Sequence, residues 1–400
     1  MTFKIAPHGS EYLVDLLADP ERAEALKHES GAFPSVTLTQ RQLCDLELLM
    51  NGAFTPLTGF MGQKAYEAVL DSLSLPDGTL WPVPIVLDVT EKFAEKLNPG
   101  DRVALRDGEG FMPAVLTVED IWQPDRKHEA ERVYGTSDPS HPGVRYLLSA
   151  VNPVYIGGRI EGVQAPVHHD FESLWDTPAE MRAQFSKLGW RRVVAFQTSK
   201  PLHRLQREIT LNLAKELQAH ILLHPTVGMT KPGDLQYYAR VHCYQAIMRH
   251  FPHNLAMLSL LPLAMRMAGP REALWHAIVH QNYGCSHLIV GPKHAGPPQP
   301  HGDDTPYYDT SASRDLIDAH AQRLGIRIVH VEPQHYVPSR QRFMGASKIA
   351  SEDLEGVEYT DAQLKRDLAM GEEPPEWFSY PEVVAALRNV YPPRNRQGFT

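Results

Sequence analysis

Beyond residue 170, short apolar runs alternate with longer amphipathic segments, and this alternation restricts the possible folds more than any other feature. The apolar runs read RRVVAFQ, HILLHPTV, LAMLSL and SHLIVGP, and segments with helical spacing separate them. Strand and helix in this rhythm predict a parallel sheet with helices on both faces. Ligands of such sheets bind where the strands end and the chain turns into the next helix. The loops after these runs are therefore the places to look for function.

The preceding part of the chain has a different pattern. Runs such as DRVALRD, FMPAVLTVEDI, PVYIGGRI and LWPVPIVLDV have strand-like composition, and turn-forming pairs such as Pro99-Gly100 separate them. We predict a β-rich domain over residues 1–168, mixed but mostly antiparallel, with one helix near residues 40–51. An α/β domain over residues 169–325 and a small C-terminal subdomain over residues 326–400 follow. The subdomain should hold the strand IRIVHVE and the helix DAQLKRDLAM.

Composition excludes several classes of protein. The formal net charge of −9 argues against a nucleic-acid partner, although a local cationic pocket could still bind a small anion. The three cysteines are far apart in sequence, so we expect neither a disulfide framework nor a metal site. The N-terminus lacks the pattern of a signal peptide, and no apolar run approaches the length of a bilayer span. We therefore expect a cytoplasmic protein without a membrane partner.

Three loops at predicted strand ends carry residues suited to anions. The first loop, residues 197–204, reads QTSKPLHR and leads into a helix, whose free N–H groups favour negative charge. The second loop, residues 224–234, reads HPTVGMTKPGD, and the third, residues 291–297, reads GPKHAGP. Each alone could be an ordinary solvated turn. Because all three follow strands of one predicted sheet, we expect them to meet at the same edge.

Longer runs identify a family. The segments LTQRQLCDLELLMNGAFTPLTGFM, YGTSDPSHPGV, LPLAMRMAGPREALWHAIVHQNYGCSHLIVG, PPEWFSYPEVV and YPPRNRQGFT resemble ATP sulfurylases along almost the whole chain. The resemblance implies a PUA-like β-rich domain, a Rossmann-like α/β nucleotidyltransferase domain and a small C-terminal subdomain. It also implies a role in sulfate assimilation, with ATP and sulfate giving adenylyl sulfate and pyrophosphate. Magnesium would accompany ATP, and we expect a homo-oligomer.

The resemblance also implies which side chains form the site. In the family, a QxRNxxHRxH signature binds sulfate through its glutamine and arginine and the triphosphate through its histidines. A second arginine comes from a GRDHAGP loop. Carried onto this sequence, the catalytic positions are His203, Arg204 and Gln206, and the substrate-binding positions are Gln197, Thr198, Ser199, Lys200, Lys293, His294, Ala295 and Gly296. No metal ligand is implied.

This chain departs from the family pattern mainly at those positions. Ser199 and Lys200 replace the signature arginine and asparagine, Gln206 replaces the second histidine, and Pro292 and Lys293 replace the arginine and aspartate of the other loop. In the C-terminal part, Asp361-Ala362 replaces a usual Gly-Thr. Lysine can restore charge but not the two-pronged geometry of arginine. Three hypotheses remain: sulfate adenylylation, adenylyl transfer to another oxyanion such as a phosphonate, sulfonate or carboxylate, and a non-catalytic nucleotide-binding protein.

Overall fold

The computed structural model describes residues 5–298 and 306–390. The segment YPPRNRQGFT, which contributes to the family resemblance, lies outside the described residues, as does the end of the predicted C-terminal subdomain. Within the described ranges, every helix is too short or too polar to traverse a lipid bilayer.

The N-terminal part is built on one six-stranded mixed sheet. Its strands are β1 Ser35–Thr37, β2 Gly59–Phe60, β3 Leu87–Val89, β4 Arg102–Arg106, β5 Ala114–Trp122 and β6 Val154–Gly162. Its helices are α1 Pro20–Glu29, α2 Gln40–Met50, α3 Gln63–Ser72, α4 Glu91–Ala94, α5 Arg126–Tyr134 and α6 Pro142–Ser149. All strand pairs are antiparallel except β1 with β4.

One predicted strand is mostly wrong. Of the run LWPVPIVLDV, only Leu87–Val89 forms a strand. Pro82 and Pro84 carry no N–H group and cannot donate to a neighbouring strand, which keeps the first half of the run out of the sheet. The predicted helix near residues 40–51 is confirmed as α2, which a capping box at Thr39 and Gln42 starts.

The α/β part contains a five-stranded parallel sheet in the order β11-β10-β7-β8-β9. The strands are β7 Val193–Phe196, β8 His220–Leu223, β9 Ala256–Leu258, β10 His287–Val290 and β11 Arg327–His330. The helices are α7 Pro178–Lys187, α8 Arg204–Leu217, α9 Tyr237–Met248, α10 Pro270–Asn282 and α11 Ala312–His320. The parallel sheet with covering helices, predicted from the alternating pattern, is confirmed.

The position of β11 corrects the predicted boundary at residue 325. We predicted this strand in the C-terminal subdomain, but β11 pairs in parallel with β10 and forms an edge of the α/β sheet. A strand can pair at the edge of a sheet wherever it falls in the chain, because the pairing is made by backbone hydrogen bonds. The α/β part thus reaches at least to residue 330, whereas the boundary at residue 168 stays a prediction.

The remaining elements follow β11. They are β12 Gln334–Val337, β13 Arg342–Gly345, α12 Ala346–Ser351, α13 Asp361–Met370 and α14 Pro381–Arg388. The predicted helix DAQLKRDLAM is confirmed as α13. Side chains of α13 and α14 share an apolar cluster with α9, for example Leu364, Val383 and Tyr244. This packing fixes the C-terminal segment beside the first loop.

One helix joins the two large parts of the molecule. In α10 every residue from Glu272 to Asn282 is buried. Trp275 lies in one core cluster with residues of both sheets, and its ring centroid is 5.1 Å from that of Phe54 in the N-terminal part. Polar side chains on α10 therefore have no access to bulk water and must find partners within the protein.

Candidate functional site

The three predicted loops meet at the carboxyl edge of the parallel sheet. They follow the neighbouring strands β10, β7 and β8. The N–H group of Thr226 in the second loop donates to the carbonyl of Thr198 in the first, at 2.9 Å. Gln197 Nε2 donates to Thr226 Oγ1 at 2.8 Å and lies 3.3 Å from His276 Nε2, while His276 Nδ1 is 2.9 Å from His294 Nε2 in the third loop. His276 thus contacts both the first and the third loop.

A buried arginine clamps the first and second loops together. Arg240 on α9 is 1% exposed, and its Nη1 donates to the carbonyls of Ser199 at 3.1 Å and Thr226 at 2.6 Å. Tyr244, one turn along, donates its hydroxyl to the carbonyl of Lys200 at 3.0 Å. The backbone of the first loop is therefore fixed before any ligand arrives.

Gln197 carries an unsatisfied polar atom. The residue is 7% exposed, and its Oε1 has no hydrogen-bond partner within the described part of the chain. A buried polar atom without a partner costs roughly 1–3 kcal/mol. Such an atom at the meeting point of three strand-end loops is what a site built around a ligand would show.

The third loop holds strained backbone. Ala295 is buried and has a φ of 57°, in the left-handed region that alanine rarely adopts. Its carbonyl accepts the N–H of Gly269 at 3.1 Å, which ties the loop to the start of α10. Gly269 itself has a φ of 51°, and a Cβ there would lie 2.5 Å from the Tyr308 ring. Strain of this kind persists where the surrounding structure enforces it and clusters at functional sites.

His203 lies at the start of α8, and one of its ring nitrogens contacts Ser379. The side chain is 6% exposed, its Nδ1 is 2.8 Å from Ser379 Oγ, and its ring packs against Phe378. Burial lowers the pKa of His203 to about 4, so the ring is neutral at pH 7. If the Ser379 hydroxyl donates to Nδ1, the proton of His203 resides on Nε2. That tautomer gives the ring a donor for a ligand oxygen.

Arg204 also contacts the C-terminal segment. Its Nε donates to the carbonyl of Ser379 at 3.1 Å, and its guanidinium carbon lies 4.1 Å from the centre of the Tyr380 ring. Stacking on Tyr380 fixes the plane of the guanidinium and leaves its terminal N–H groups available as donors. Residues of the first loop and of the C-terminal segment therefore form one unit.

Two of the predicted site residues have local structural contacts instead. Gln206 Oε1 accepts the backbone N–H of His203 at 2.9 Å, so this side chain caps the helix. Thr198 Oγ1 accepts the backbone N–H of Lys200 at 3.0 Å and shapes the turn. The position of Gln206 favours a structural role over a catalytic one, because its side-chain oxygen already accepts a hydrogen bond at the start of the helix.

The lysines differ in their availability. Lys200 is exposed and forms an ion pair with Asp361, which neutralises its charge. Lys293 is exposed on the third loop. Lys231 of the second loop is half-buried, and burial lowers its pKa while the neighbouring charges of Glu272 and Asp234 raise it. Burial lowers the pKa of His294 in the third loop, and the charge of Lys231 is one of those that lower it further.

Lys231 and Glu272 are not among the predicted site residues, although the second predicted loop contains Lys231. Glu272 and His276 are four residues apart on α10, and that spacing brings an acid and a histidine onto one helix face. The spacing was a usable signal. Arg266 and Arg271, which flank the turn before α10, bond backbone carbonyls such as those of Ala264 and Leu70.

A cavity of about 740 Å³ lies elsewhere, between the N-terminal part and the α/β part. Its walls include Cys44, Trp175 and Gly228, and none of the predicted site residues. The two long cations on its wall are engaged: Lys27 with Glu24 at 2.7 Å and Arg106 with the carbonyl of Gly110 at 3.0 Å. Of the three loops, the second reaches this cavity, at Val227 and Gly228.

Comparison with known proteins places both parts of the chain. A family model described as ATP-sulfurylase matches residues 172–390, and a model of a PUA-like domain matches residues 5–165. A sulfate adenylyltransferase from Eremothecium gossypii is 44% identical over 397 residues, which cover 99% of this chain and 78% of that protein. The sulfate adenylyltransferase of Schizosaccharomyces pombe is 46% identical, with 97% of this chain and 79% of that protein covered.

A solved structure has the same architecture. It is a hexameric APS kinase from Thiobacillus denitrificans, 36% identical, with a TM-score of 0.79. The match covers 99% of this chain and 70% of that one. The same fold thus occurs in a protein named for a different activity, so the site residues have to carry the functional argument.

Proposed function

Because the chain belongs to the ATP-sulfurylase family, we propose that it is a nucleotidyltransferase that forms adenylyl sulfate and pyrophosphate from ATP and sulfate. A sulfate oxygen attacks the α-phosphorus of ATP, the bond from that phosphorus to the bridging oxygen breaks, and pyrophosphate leaves with the bond's electrons. Sulfate is a poor nucleophile, so positioning and charge neutralisation carry most of the catalysis.

The observation that carries this proposal is the unsatisfied Gln197 amide where the three loops meet. Gln197 would contact the acceptor oxyanion, with the backbone around Ala295 and Gly296 beside it. His203 Nε2 and the terminal N–H groups of Arg204 would face the triphosphate. Ser199, which is buried, adds a hydroxyl rather than a charge. Lys231 supplies a cation near His294 that the family signature does not require.

Magnesium would enter with the nucleotide. Within residues 5–298 and 306–390, no group of three or more His, Cys, Asp or Glu side chains is arranged to hold a metal ion. Mg²⁺ is commonly bound through substrate phosphates and keeps several waters. The triphosphate oxygens would therefore hold the ion, and the ion would supply charge neutralisation as pyrophosphate leaves. We also propose a cytoplasmic homo-oligomer, a state for which the hexameric neighbour is a precedent.

The test is pyrophosphate release from ATP and Mg²⁺ with a panel of oxyanions. We expect sulfate to support turnover, and molybdate to do so as a sulfate analogue. Turnover with a phosphonate, sulfonate or carboxylate but not with sulfate would show that the acceptor is a different oxyanion. If every oxyanion fails while a nonhydrolysable ATP analogue still binds in calorimetry, the chain is a non-catalytic nucleotide-binding protein. That outcome would agree with the ion pair between Lys200 and Asp361, which neutralises a cation of the first loop.

A further inference from the structure

A buried carboxylate–histidine pair lies directly behind the candidate acceptor site. His276 is 1% exposed and has polar neighbours on both ring nitrogens. Its Nε2 lies 3.4 Å from Glu272 Oε1 and 3.3 Å from the Gln197 amide nitrogen, and its Nδ1 lies 2.9 Å from His294 Nε2. One ring therefore touches Gln197, which the proposed function assigns to the acceptor, and His294 of the third loop.

The Glu272 carboxylate is held in place and ionised. Its Oε1 accepts the N–H of Arg266 and its Oε2 accepts the N–H of Ala268, both at 2.9 Å. Burial alone would raise the pKa of Glu272, but hydrogen bonds from His276 and from these two N–H groups lower it. An ionised carboxylate beside Nε2 favours a proton on that nitrogen, because without the proton the nitrogen lone pair would face the negative charge and be repelled by it.

That tautomer determines how the Gln197 amide must lie. A proton on His276 Nε2 cannot face the amide N–H₂ group, since two donors repel each other. The amide oxygen can instead accept from the hydroxyl of Thr226 and share the single His276 Nε2–H with Glu272 Oε1. Amide nitrogen and oxygen fill nearly the same space, so turning the group by a half-rotation leaves the packing unchanged. The N–H₂ group then occupies the position where the orphaned oxygen stands.

We propose that Glu272 and His276 are positioning residues that fix the Gln197 amide with its N–H₂ group toward the acceptor oxyanion. The same tautomer makes His276 Nδ1 an acceptor for His294 Nε2–H, which fixes the ring of the third loop as well. This inference rests on the proposed function for the identity of the ligand, an oxyanion. The hydrogen-bond arrangement itself does not depend on turnover.

The arrangement can be measured without activity. In long-range ¹⁵N–¹H spectra of the full chain labelled at histidine, the two ring nitrogens of a neutral imidazole have well separated shifts. His276, assigned by loss of its signals in His276→Gln, should carry its proton on Nε2. A proton on Nδ1 would overturn the inference even if the enzyme proves active.

Two substitutions at one position give the functional test. A glutamine side chain reaches about as far as Nε2 and can still donate to the Gln197 oxygen, whereas an asparagine side chain reaches only as far as Nδ1. We expect His276→Asn to raise the apparent KM for sulfate by about tenfold or more, and His276→Gln by about threefold or less, with the KM for ATP nearly unchanged in both. Equal effects of the two variants would mean that the ring serves packing alone.

The matched control is His280→Gln. His280 is one turn along the same helix and fully buried, but its ring contacts His224 and the carbonyl of His276 rather than Gln197 or His294. Its sulfate KM should match that of the wild-type chain, and urea unfolding should confirm that all three variants fold. A sulfate KM raised equally in His280→Gln would overturn the inference. If the wild-type chain uses no oxyanion at all, the proposed function fails, and the ¹⁵N spectra still decide the tautomer.

Discussion

Lys200 and Asp361 form an ion pair that joins the first loop to the first turn of α13, although 161 positions separate them in the chain. Both residues depart from the family pattern, in which an asparagine and a Gly-Thr pair occupy these places. The positive charge introduced by one departure is therefore paired with the negative charge introduced by the other, and Lys200 contacts the C-terminal subdomain. This relationship changes the expected effect of several substitutions.

Lys200 should matter little for sulfate. The pair is exposed, with 57% and 56% of the two side chains accessible, and exposed pairs contribute roughly 0–1 kcal/mol. Lys200→Ala should therefore change the sulfate KM by less than about threefold. Asp361→Asn, which releases the lysine, should lower that KM. If Lys200→Ala abolishes sulfate dependence while Asp361→Asn has no effect, the lysine binds the acceptor and the ion pair is incidental.

Lys231 should matter more. Its charge is near His294 and partly shielded from water, so it acts on an anion through a lower effective dielectric than the exposed lysines do. Lys231→Ala should raise the sulfate KM by about tenfold or more, and Lys231→Arg should restore part of the loss. Lys215→Ala, an exposed lysine on α8, is the control and should behave like the wild-type chain. An unchanged KM in Lys231→Ala would remove this lysine from the site.

Ser379 should influence nucleotide binding although it lies in the C-terminal segment. Its hydroxyl lies 2.8 Å from His203 Nδ1, and by donating to that nitrogen it would leave the ring proton on Nε2. Ser379→Ala should weaken binding of a nonhydrolysable ATP analogue by about three- to tenfold, and His203→Ala should weaken it further. Calorimetry with Mg²⁺ and the analogue measures both. Binding that is unaffected by His203→Ala would show that this histidine only packs against Phe378.

His141 should make the fold sensitive to acid. Its ring is fully buried, and its Nδ1 accepts the N–H groups of Gly143 at 3.1 Å and Val144 at 3.4 Å at the start of α6. Burial lowers the pKa of His141 from 6.5 to about 4. As pH falls from 6.5 to 4, the unfolded chain binds a proton that the folded chain refuses, so the free energy of unfolding falls by up to roughly 3 kcal/mol.

The matching variant is His141→Asn, whose side-chain oxygen can still accept at the helix start but cannot titrate. Urea unfolding at pH 7.5 and pH 4.5 should give a smaller pH dependence for this variant than for the wild-type chain. Above pH 7 the free energy of unfolding should change little with pH in either chain, because the wild-type histidine is neutral there and asparagine does not titrate. An identical loss of stability in both chains would assign the acid sensitivity to other buried groups, such as His280, whose pKa burial lowers to about 3.

The sequence by itself determined the parallel sheet, the helices between its strands and the meeting of three loops at one edge. These features follow from local periodicity and from the rule that parallel strands end on the same side, so neighbours along the chain suffice to predict them. It also predicted Gln197 and His294 as neighbours of one site, and both contact His276. Even so, local pattern misplaced β11, because strand order in a sheet is not encoded by strand sequence alone.

Only the tertiary structure decided what each polar side chain does. The pairing of Lys200 with Asp361, the clamp of Arg240 on two loops and the contact of His203 with Ser379 join residues far apart in sequence. A hydrogen bond or ion pair forms only within a few ångströms and at restricted angles, and a change of one turn in a helix redirects the donor. Residue types could therefore predict where the site lies, whereas distances and burial were needed to determine which cations are paired within the protein.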